Sequence, residues 1–210
     1  MSTQRRAFEI LEFWFGPRPH RPAAVSQRMR LWFGDSAAPE LQPQTDEQIR
    51  GRFGALISDA AAGRLDRWES SPRRRLALIL LLDQFPRNIH RGTAAAFEHD
   101  AQALQLSLGG MTMGADAALD PVERIFFYMP LQHAESLEIQ GESLAAFGRL
   151  ANEAPEPLRV IFASVSGYAR LHHDIIKRFG RFPHRNQVLE RESSAEELAW
   201  LTSEGPRFGQ

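Results

Sequence analysis

In PLRVIFASVSGYARLHHDIIKRFG, residues 157–180, Tyr168, Leu171, Ile175 and Phe179 recur at three- and four-residue spacing, and Gly180 stands where a helix stops. That is the stripe of an amphipathic helix, expected to run from Pro157 to Phe179. At about 100° per residue His172 falls at the edge of the apolar arc and His173 on the polar side. His172 is therefore expected to be buried or half-buried. Such an imidazole needs hydrogen-bond partners, either in a structural role or in a catalytic or ligand-binding one.

The same signals extend in both directions. Residues 5–15 put Ala7, Phe8, Ile10, Leu11, Trp14 and Phe15 on one face, until Gly16-Pro17. A short helix is expected over Ser26 to Phe33, and irregular chain over Pro39 to Pro43. Thr45 to Gln48 reads as a capping box, opening a helix that ends near Gly63. Ser71-Pro72 starts a helix through the apolar run Leu76 to Leu82, and Pro86 is expected to end it. Thr93 is expected to cap the next, which carries Phe97, Leu104 and Leu108 and gives way to a flexible connection at Gly109 to Gly114. Asp120-Pro121-Val122-Glu123 repeats the capping pattern, with Pro130 breaking or kinking the helix behind it. Further helices are expected over Ser136 to Leu150 and after Ser193-Ser194-Ala195-Glu196. About nine helices without a convincing strand make this an all-α chain, an antiparallel helical array in one domain spanning 1–210 with no β-sheet.

Composition excludes several function classes. The formal net charge of -1 gives no reason to expect nucleic acid or an anionic membrane as partner. The absence of cysteine removes disulfides, thiolate nucleophiles and Cys-ligated zinc, and fits a reducing compartment. The run Leu76 to Leu82 is far short of the ~20 residues of a membrane-spanning helix. Behind Arg5 and Arg6, Glu9 and Glu12 interrupt any secretory apolar region, so the expected location is the cytoplasm.

Two segments resemble one another: Phe85-Pro86-Arg87-Asn88, continuing to Arg91 and Thr93, and Phe182-Pro183-His184-Arg185-Asn186. Arg87, Asn88 and Arg91 precede a helix start whose free amides attract anions, and guanidinium groups add bidentate bonds to phosphate or carboxylate. Arg178, Arg181, His184, Arg185 and Asn186 could form a facing half. The same residues also serve as ordinary helix punctuation, because proline stops helices, arginine complements a helix C-terminus and asparagine suits turns.

Among ionisable groups, His133, Glu135, His172 and Asp83 are candidates for acid–base work, since a carboxylate orients an imidazole. A network fastening helix ends is the competing role. His172 and Asp174 lie about 200° apart on a helix and cannot grip one ion, which leaves His133 and Glu135, expected on a loop, as the one pair that could do so locally; neither a metal nor a cofactor is expected. Gly109 to Gly114 lacks the Lys-Ser/Thr of a phosphate-binding P-loop. Arg73, Arg74 and Arg75 read as a solvated face.

Three segments, 82–93 (LDQFPRNIHRGT), 130–137 (PLQHAESL) and 178–186 (RFGRFPHRN), together resemble the bacterial domain of unknown function 924, as do 11–16 and 191–193. The resemblance implies a helical fold of tetratricopeptide-like kind and no established activity. This chain departs from that pattern at Ala134, where the family has Ser, and at Glu190, where it has Gly. Two functions are expected from these readings. One is a helical-repeat module binding a polypeptide partner; the other is a site, open to enzymatic use, for a phosphate- or carboxylate-bearing small molecule at Arg87, Asn88, Arg91, Arg181, His184, Arg185 and Asn186.

Overall fold

A helix that is apolar on every side has to lie inside, and Leu76 to Leu82 are all at most 3% exposed. The protein is described from a computed structural model covering residues 3–34, 37–203 and 205; the other positions of the expected 1–210 span lie outside the described residues. Among those described there are nine α-helices and no strand: α1 (Thr3–Phe15), α2 (Pro22–Phe33), α3 (Leu41–Ala61), α4 (72–89), α5 (Asp100–Thr112), α6 (Pro121–His133), α7 (Leu137–Asn152), α8 (Arg159–Phe179) and α9 (Ala195–Ser203). The fold is all-α. Helix α4 joins Pro72–Ile79, Leu80–Gln84 and Phe85–Ile89 without interruption. It and α6, buried from Val122 to Gln132 except at Arg124, form the centre. Helices α1, α3 and α5 pack around α4, and α7 and α8 lie side by side against α6. Phe126 of α6 meets Trp14, Phe15 and Trp32 edge-on, joining α1 and α2 to the centre. A smaller apolar cluster, Ile175, Ile176, Phe182 and Trp200, seats α9 on the end of α8.

Several helix ends match the sequence expectations. Asp120 and Glu123 form the capping box of α6, Ser136 accepts from the Ile139 amide at the start of α7, and Gly180 ends α8 at φ 72°. Others differ for identifiable reasons. Helix α3 begins at Leu41, because a proline at the third helical position gives up an amide that has no helical acceptor; Thr45 then lies inside, its hydroxyl donating to the Leu41 carbonyl. Thr93 likewise donates to the His90 carbonyl and caps nothing; a single 3-10 turn (Ala94–Ala96) follows, and α5 starts only at Asp100. The box before α9 is Ser194 with Glu197, one residue later than expected. Pro130 lies within α6 without ending it. The stretch expected to be flexible is the last turn of α5, where Gly110 lets that helix approach α4 and α6: an added Cβ would sit 2.4 Å from Phe127 and 2.8 Å from Arg75. Arg75 is not solvated but 4% exposed, donating to the Glu69 and Leu106 carbonyls. No helix among the described residues is long and apolar enough to cross a membrane.

Candidate binding and acid–base site

The first of the two Phe-Pro segments is not a loop. Pro86 has no N–H, and its ring would clash with the carbonyl four residues back in a regular α-helix. The chain widens into a π-turn over Leu80–Gln84, in which the Phe85 amide reaches back to the Leu80 carbonyl, and the helix continues through Pro86 to Ile89. Asp83 and Gln84 occupy this turn. Asp83 is fully buried, and its carboxylate accepts from His133 Nδ1 at 2.6 Å and Gln84 Nε2 at 2.5 Å, with Arg87 Nη1 at 3.2 Å. Burial alone would raise its pKa, but Arg87 and His133 hold it well below the carboxylate range.

An ionised carboxylate can only accept, so Nδ1 of His133 carries the proton and Nε2 its lone pair. Burial first, and the Arg87 charge next, push the His133 pKa below the usual imidazole range, against the pull of Asp83; the ring is neutral at pH 7. His172 Nδ1 donates to the Tyr168 carbonyl at 2.8 Å, which sets the same tautomer. Burial, with the His133 ring beside it, lowers the His172 pKa to about 3. The two rings are 6.2 Å apart. His133 owes its place to the end of α6, where Nε2 of Gln140, itself fully buried, donates to the Gln132 and Ala134 carbonyls at 2.7 and 2.9 Å.

Both imidazoles line a cavity of about 740 Å³ between α2, α4, α6 and α8, a size suited to a small molecule. Gln84, Arg87, Asn88 and Arg91 face it from α4 and the turn beyond, Gln132 from α6, and Trp32 and Phe33 from α2. Arg30 lines it too. A second cavity of about 700 Å³ lies beyond His133, with Asp100, Glu135, Arg185 and Leu189 on its walls. His133 belongs to both.

The expected anion-binding residues are therefore divided. Arg87 and Arg185 converge on Asp100, the first as a bidentate pair at 2.7 and 2.8 Å, the second at 3.3 Å while its guanidinium stacks over Phe97 and Phe182. Arg91 and Asn88 share Asp46. Arg87, Asn88 and Arg91 open to the first cavity and Arg185 to the second, whereas Arg181, His184 and Asn186 line neither. Arg181 grips Glu197 with two bonds, and Asn186 donates to Ser193 and Glu197, so these two fasten α9. His184 is kept neutral, its pKa lowered to about 3 by burial and the Arg185 charge. Glu135 accepts from the Phe182 amide and from Arg191, tying the second Phe-Pro segment to the end of α6. No group of three or more His, Cys, Asp or Glu side chains suited to a metal occurs among the described residues.

Sequence reasoning missed Asp46 and Asp100, which neutralise Arg91 and Arg87, the amides Gln84 and Gln132, and the aromatic wall. One signal was available: in both Asp83-Gln84 and Gln132-His133 a carboxamide adjoins an ionisable candidate. Nothing local marks Asp46 or Trp32, which arrive from other helices.

Residues 10–205 match the model of a family described as bacterial protein of unknown function (DUF924). A solved structure of a protein of unknown function, ATU0120 from Agrobacterium tumefaciens, is similar at 34% identity with a TM-score of 0.78, covering 97% of this chain and all of that one. No curated protein matches.

Proposed function

We propose that this chain, which belongs to the DUF924 family of bacterial proteins, binds a small phosphate- or carboxylate-bearing molecule in the cavity between α2, α4, α6 and α8, and acts on it through His133 as a general base. The observation that carries this reading is the 2.6 Å contact between buried Asp83 and a His133 that lines the cavity. A neutral imidazole with Nδ1 fixed on a carboxylate presents a lone pair at Nε2, and the carboxylate stabilises the imidazolium that forms when a proton is taken. Arg30, Arg87 and Arg91 favour a negative group on the ligand. Asp46, Asp83 and Asp100 offset much of that charge, so anion affinity comes from geometry more than from net potential.

Screening by thermal shift with phosphorylated and carboxylated metabolites tests this. Stabilisation by at least one compound is expected, about 2.7 kcal/mol at a hundredfold excess over Kd, and it is expected to disappear in Arg91→Ala. No stabilisation, or undiminished stabilisation in that variant, counts against the site.

A second reading, a polypeptide partner, is favoured by Phe33 and Tyr168, which stand at the cavity with 50% and 54% of their surface exposed. It places α7 and α8, joined by the short segment 153–158, as a tetratricopeptide-like pair, and the cysteine-free chain in the cytoplasm. Affinity capture from bacterial lysate checks it: a stoichiometric protein lost on Tyr168→Ala supports it, and none recovered opposes it.

A further inference from the structure

The hydrogen-bonding polarity of the cavity wall narrows the ligand. Gln84 donates its amide nitrogen to Asp83 and Asn88 donates its own to Asp46 at 2.8 Å. Because a carboxylate offers no proton, these partners fix which way each amide faces, and the carbonyl oxygens point elsewhere. Both residues line the cavity, and among the described residues nothing donates to Gln84 Oε1 or Asn88 Oδ1. His133 adds a third acceptor, Nε2. Gln132 also lines the cavity, but its Nε2 is buried out of reach and does not open into that space.

Three acceptors around one space call for ligand groups that donate hydrogen bonds, and hydroxyls are the donors that an anion carries without cancelling its own charge. An aromatic anion would leave the acceptors unmet. A metal finds only two imidazoles there. We propose that the ligand is a polyhydroxylated anion, a sugar phosphate or a sugar acid, whose hydroxyls donate to Gln84 Oε1, Asn88 Oδ1 and His133 Nε2. The carbon skeleton then rests against Trp32 and Val165, with the charged group toward Arg91. This rests on the cavity being a ligand site, as proposed above.

Calorimetric titration of the full chain with glucose 6-phosphate, ribose 5-phosphate and gluconate, beside phenyl phosphate and hexanoate as anions without hydroxyls, tests the proposal. At least one polyol is expected to bind about tenfold or more tighter than its hydroxyl-free counterpart, since a site built to bond hydroxyls rejects analogues lacking them. The phosphate and carboxylate arms show which charged group is preferred. Gln84→Met is expected to weaken the polyol about tenfold and leave phenyl phosphate unchanged; 2-deoxyglucose 6-phosphate on the unmodified protein gives an independent reading that does not depend on the variant folding. Hydroxyl-free anions that bind as tightly as the polyols, with loss in Arg91→Ala, overturn the polyol assignment and leave the anion site standing. If no anion of either kind binds, both fall.

Discussion

At the residue scale, the buried charges make the sharpest claims. Asp83 answers to Arg87, His133 and Gln84, so Asp83→Ala strands the last two; a loss of about 3 kcal/mol is expected, the low end for a broken buried pair because Asp100 still holds Arg87. Urea unfolding measures it, and a loss under about 1 kcal/mol contradicts the pairing. His172 and His184 titrate near 3 in the folded chain and near 6.5 when unfolded. Between those values the unfolded state binds more protons, so stability is complete above about 6.5 and falls as pH drops toward 3. The urea midpoint is expected to be lower at about pH 5 than at about pH 7.5; an equal or higher midpoint at the acidic value refutes the assignment. Glu190 has φ 54°, a left-handed conformation that favours glycine. Glu190→Gly should stabilise by roughly 1 kcal/mol, and destabilisation would mean that the side chain has an anchoring role. The departure at this position was visible in the sequence, but its conformational cost was not.

At the scale of elements, proline position decided what could be read. Asp120-Pro121, Ser136 and Gly180 were legible because each acts on its own helix end. Pro43 and Pro86 misled, because proline is tolerated in a first helical turn and, at Pro86, a π-turn absorbs the ring. That π-turn carries Asp83 and Gln84, so the misread element is also the one that builds the site. Gly110 was read as flexible because its contacts, Phe127 and Arg75, come from other helices. Gly110→Ala should lower stability by about 1–3 kcal/mol, through overpacking at that crossing. An unchanged thermal midpoint shows that the helices can part at no cost. Gln140→Leu removes the donor that holds the last carbonyls of α6 and is expected to destabilise by about 1–3 kcal/mol.

At the scale of the molecule, the helical class was legible from periodicity, whereas the site was legible only as a set of residue types. Which arginine meets which aspartate depends on α3, α4, α5 and the second Phe-Pro segment coming together around Asp46 and Asp100, and no local pattern encodes that. The likeness of the two Phe-Pro segments conceals different tasks: one lines the cavity from a helix, the other closes the chain end through Glu135 and Glu197. The central claim is that His133 faces the cavity as a neutral base oriented by Asp83. Long-range proton–nitrogen correlation on the histidine rings tests it most directly, with seven histidines to assign. The expected spectrum at pH 7 has His133 protonated at Nδ1 and unprotonated at Nε2, with the Nε2 resonance moving when a stabilising polyol anion is added. A His133 protonated at Nε2, or an Nε2 resonance indifferent to every ligand that stabilises the protein, contradicts it.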